Sequence, residues 1–77
     1  MSFYINGRLS DVRAFENAVA RQAPAKRSVT ITGMEYPSAS GSPAMLLCNF
    51  SRQVKPQNRD AVLDAIADAF PDLDIAA

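Results

Sequence analysis

Two rhythms of apolar and polar residues divide this chain of 77 residues. Phe3, Tyr4 and Ile5 are strand formers, and Asn6-Gly7 behind them is a type I′ turn signal, because both residues tolerate positive φ. A short hairpin returning through Arg8-Leu9 is one expectation, and a single strand ending in a turn is the other. Val12, Phe15, Val19 and Ala23 then recur at three- and four-residue spacing, the period of a helix with one buried face. Ser10 or Asp11 is its expected cap, Gln22 its approximate end and Pro24 its stop. Arg13, Asn17 and Arg21 fall on the opposite, outward face.

The rhythm changes to two between Ser28 and Met34, where Val29 and Ile31 alternate with Thr30 and Thr32, as in a half-buried strand. A small-residue loop bounded by prolines, Tyr36 to Pro43, precedes the nearly continuous apolar run Ala44–Phe50. That run reads as a central strand covered on both faces. After a polar, basic stretch, a second helix is expected to begin near Pro56–Asn58, with Asn58 as an alternative cap. Val62, Leu63, Ile66 and Phe70 form its buried face and Pro71 ends it. Asp72-Leu73-Asp74-Ile75 alternates, so residues 71–77 are either an edge strand or a flexible tail.

The expectation is one α+β domain over residues 1–77, in the order β-α-β-β-α with a possible last β. Two helices pack on one face of a three- to four-stranded, mostly antiparallel sheet. If the last strand forms, the arrangement is ferredoxin-like. A chain of this size buries roughly 60% of its unfolded surface. Its stability is then on the order of 5 kcal/mol.

Charge changes this picture most. Up to Arg59 the chain carries all eight basic residues against Asp11, Glu16 and Glu35, and its last five charges are Asp60, Asp64, Asp68, Asp72 and Asp74. Asp60, Asp64 and Asp68 project at about 0°, 40° and 80° around the second helix, away from its apolar face. Like charges at i,i+4 cost about 0.2–0.5 kcal/mol per pair, so the row is a poor choice for helix stability alone. It is the candidate partner-binding site. The cations Arg52, Lys55 and Arg59, with Arg8, Lys26 and Arg27 as further candidates for the same surface, form the alternative, a nucleic-acid site. Tyr4, Tyr36 and Phe50 are the aromatics available for stacking on bases.

Other chemistry finds little support. The chain has no histidine and a single cysteine, which leaves no zinc ligand set, no internal disulfide and no base to activate Cys48. Ser38-Ala39-Ser40-Gly41-Ser42 lacks the lysine and the following helix of a phosphate-binding loop. No apolar run is long enough for a membrane span, and the first residues do not read as a signal peptide. No catalytic residue, cofactor or metal is expected, and a reducing cytoplasm suits the lone cysteine. The leading expectation is a non-enzymatic protein-binding module that sets its acidic helix face against a basic partner. In a sharper form it is a small inhibitor or accessory factor of a nucleic-acid-handling protein, a phage-type viral antagonist. The alternatives are a small RNA- or single-stranded-DNA-binding domain and a structural homo-oligomer, such as a homodimer in which helix one of one copy meets helix two of the other.

Overall fold

A computed structural model describes residues 2–36 and 43–76. Four strands and two helices follow in the order β1 (Ser2–Gly7), α1 (Leu9–Arg21), β2 (Val29–Glu35), β3 (Ala44–Phe50), α2 (Arg59–Ala69) and β4 (Asp74–Ala76). Short 3-10 turns at Pro24–Lys26 and Pro56–Asn58 lead into β2 and α2. The sheet order is β2-β3-β1-β4 and every neighbouring pair is antiparallel. Each helical connection therefore steps over one intervening strand, which interleaves two split β-α-β units. The last strand, on which the ferredoxin-like expectation turned, is present: Ile75 pairs with Ile5 and Asp74 with Asn6. Leu73 is buried in the core and residues 74–76 form an edge strand, not a tail.

One face of the sheet carries the core. Phe3 and Ile5 of β1 lie in register with Cys48 and Leu46 of β3, and all four are buried. Val12 and Phe15 of α1 complete this cluster, and Val62, Leu63, Ile66 and Phe70 pack against the same side. Two ring contacts work within the layers: Phe3 to Phe50, with centroids 4.9 Å apart, joins β1 to β3, and Phe15 edge-on to Phe70 at 5.5 Å joins α1 to the end of α2. Such pairs contribute about 0.5–1.5 kcal/mol beyond their buried area.

Several local expectations are corrected. Asn6-Gly7 makes no hairpin; both residues continue β1, opposite Met45 and Ala44. A Cβ on Gly7 would stand 2.6 Å from Leu73 Cδ2, so the glycine provides room for the chain ahead of β4 and not a turn. Arg8, not Ser10 or Asp11, occupies the cap position of α1, without a side-chain cap bond. Asp11 sits in the first turn, where Arg8 Nε donates to its Oδ2 at 3.2 Å. Ala23 lies beyond the helix and is exposed. Asn58 is at the cap of α2 but makes no side-chain cap bond either. β3 has the expected bounds and a central place, yet only Ala44, Leu46 and Cys48 are buried. Met45 and Leu47 are half-buried on the opposite face, because both helices pack on one side. β2 carries a bulge at Thr32, between the pairs Ile31–Cys48 and Gly33–Leu47. Of the proline-bounded loop, Pro37–Ser42 lies outside the described residues.

Candidate docking surface on the helical layer

None of the α2 side chains is fully buried. Val62, Leu63, Ile66 and Phe70 touch the core with part of their surface, at about 200–300° around the axis when Asp60 is set to 0°. Ala61, Ala65 and Ala69 follow at about 100°, 140° and 180°, between this apolar face and the acidic row. All three alanines are exposed, and together with Val19 of α1 and Gln22 at its C-cap they line an open groove of about 370 Å³. Its apolar walls also include Val62, Ile66 and Phe70. Small side chains on one wall keep the groove open; a leucine at any of them would begin to fill it.

Asp60, Asp64 and Asp68 are all exposed and stand next to that alanine wall, about 6 Å apart along the axis. The sequence places them correctly on the outward face. What it did not reveal is the groove beside them, although the repeat of alanine at 61, 65 and 69 was its signal. The cationic row of α1 does not neutralise them: among the described residues no ion pair joins Arg13 or Arg21 to any of the three. Arg13 instead lies 5.6 Å over the ring of Tyr36, whose hydroxyl donates to Glu16 Oε1 at 2.9 Å. That hydrogen bond raises the Tyr36 phenol above its ordinary pKa.

The cost of the acidic row is measurable. Asp64→Lys turns two repulsive i,i+4 pairs into opposite-charge pairs, and should stabilise the domain by about 1 kcal/mol. For a domain of this size that is a rise in Tm of about 4–8 °C, read by thermal circular dichroism.

The basic candidates divide. Arg52 and Lys55 are exposed, whereas Arg59 is half-buried with its guanidinium 5.5 Å over the Phe50 ring. Arg8 does not join them, since it sits at the other end of α1 in its ion pair with Asp11. Arg27 does, in a structural role: its Nη2 and Nε donate to the Ala20 and Gln22 carbonyls, both at 3.2 Å, and close the C-terminus of α1. The three aromatics are dispersed. Tyr4 is on the open sheet face, Tyr36 follows β2, and Phe50 packs between Phe3 and Arg59.

Cys48 is fully buried and its burial pushes the thiol from 9.0 up to about 11. Thiolate is therefore scarce near neutral pH, and the folded protein should resist thiol reagents that label the urea-unfolded chain at once. Because the folded pKa is raised, the associated stability is intact below about pH 9 and falls as the pH climbs towards 11. Urea midpoints across that range will show it.

Among the described residues, no three His, Cys, Asp or Glu side chains are grouped to hold a metal ion, and no helix is long and apolar enough to cross a membrane. Comparison with protein-family models, curated proteins and solved structures gives no match.

Proposed function

We propose that this chain is a non-enzymatic protein-binding module that receives a basic partner on α2. One observation carries the reading: Asp60, Asp64 and Asp68 run alongside an open apolar groove between α1 and α2. An apolar groove gives affinity and an adjoining row of like charge gives orientation and choice of partner. The partner chemistry that fits is an apolar ridge flanked by lysine or arginine.

A row of carboxylates at about 6 Å steps also presents a regular anionic array to a groove built for phosphates. This supports the sharper reading, an inhibitor or accessory factor of a nucleic-acid-handling protein, of the phage-encoded type. The buried free thiol of Cys48 suits work in a reducing cytoplasm.

The test is capture from nuclease-treated lysate on wild-type bait and on a folded Asp60→Ser/Asp64→Ser/Asp68→Ser bait, read by mass spectrometry. A basic protein held by wild type alone supports the proposal. The same proteins on both baits contradict it. Arg13, Asn17 and Arg21 repeat the i,i+4,i+8 spacing of the aspartates, so a second copy is the competing occupant. Sedimentation at several concentrations detects it.

A further inference from the structure

The fold collects cations that are far apart in sequence at one end of the molecule. α1 ends there at Arg21, and the turn Pro24–Lys26 leads to Arg27. β3 leaves the sheet at the same end, because Ser51 N donates to the Ser28 carbonyl at 2.9 Å. Gln53 Nε2 donates to the Arg27 carbonyl at 2.7 Å, which ties the Arg52–Lys55 segment to Arg27, the residue whose guanidinium closes the end of α1. α2 starts there too, with Arg59 over Phe50. Arg21, Lys26, Arg27, Arg52, Lys55 and Arg59 are six of the eight cations of the chain, and Asp60 is the one acidic residue in these segments. Four of the six, Arg21, Lys26, Arg52 and Lys55, are exposed.

We infer that this end is a second binding surface, meeting the acidic row only at Asp60, that takes the phosphate backbone of a nucleic acid strand. The cations are spread over three chain segments, which suits a linear polyanion better than a single phosphate. The large exposed apolar side chains of the described residues are elsewhere: Tyr4 on the open sheet face, and Met34 and Tyr36 at the far end of β2. Among the described residues the basic end therefore exposes no large apolar side chain to enter a bilayer interface and no aromatic to stack on bases; the apolar groove adjoins it at Gln22, Ser28 and Asn58. Contact is through phosphates and is indifferent to base sequence.

The experiment titrates the whole protein into a fluorescein-labelled, mixed-sequence single-stranded DNA and follows anisotropy. With four exposed cations and about 0.7 counterion released per contact, log K should fall against log salt with a slope of about −3. Binding then weakens about 50-fold between about 50 and 200 mM salt. Arg52→Ser/Lys55→Ser should halve that slope. Arg21→Ser/Lys26→Ser, on a different segment, should do the same, which guards against a folding defect in either variant. Arg8→Ser/Arg13→Ser removes equal charge from the other end and should leave the slope unchanged. No binding, a salt-independent affinity, or equal loss in all three double variants would overturn the inference. So would binding to phosphatidylserine vesicles without binding to the DNA, which would reassign the surface to an anionic membrane.

Discussion

Phe3→Ala should leave a domain that is only marginally folded at ambient temperature. Phe3 is 1% exposed and sits on a central strand, between Cys48 in register and the Phe50 ring at 4.9 Å. Removing a buried phenyl ring costs about 3–5 kcal/mol, through lost transfer energy and the cavity left behind. The total available to a chain of this length is on the order of 5 kcal/mol, so little remains. Phe50 loses its packing partner in the same step, and with it the platform under Arg59. Tyr4→Ala is the control. Tyr4 is the next residue in the chain but faces the open side of the sheet at 42% exposure. Its loss should cost on the order of 1 kcal/mol. Urea unfolding of the two variants reads both values. Equal losses would mean that the helices do not cover the Phe3 face alone.

The second large effect is on binding. Asp60→Ser/Asp64→Ser/Asp68→Ser should weaken a basic partner on the order of 10- to 100-fold, if each carboxylate makes one partly exposed pair worth about 0.5–1 kcal/mol. Stability should move little. The two i,i+4 repulsions disappear, as does the unfavourable charge of Asp68 near the helix C-terminus, against the favourable charge of Asp60 in the first turn. The net change stays within about 1 kcal/mol. Binding lost while Tm moves by no more than about 8 °C separates a docking surface from a solvated helix face. Ala65→Arg approaches the same surface from its apolar side: a long side chain on the groove wall should block the partner while leaving the acidic row in place.

Much of the fold was legible because its signals are local. The apolar run Ala44–Phe50 marks β3 to the residue, and the three- and four-residue spacing of Val62, Leu63, Ile66 and Phe70 marks the inner face of α2. Even the short β4 was visible in the alternation around Leu73 and Ile75. Most of the misses are long-range. Gly7 reads as a turn residue beside Asn6, and only the approach of Leu73, 66 positions later in the chain, shows why it is glycine. Ser10 and Asp11 read as caps, but the chain enters α1 straight from β1 at Arg8. β3 read as covered on both faces because a central strand is apolar in sequence whether one or two layers of helix pack on it. The acidic row needed nothing beyond helical periodicity. The basic end needed the strand order, since only that places residues 21–27 beside residues 51–55.

The most direct measurement is a map of nitrogen-15 amide shifts on adding the captured basic protein to labelled domain. Docking on α2 places the largest changes within Asp60–Ala69 and at Val19 and Gln22 across the groove. Changes centred on Tyr4, Met45 and Leu47 of the open sheet face, with α2 silent, would contradict a docking surface on the helical layer.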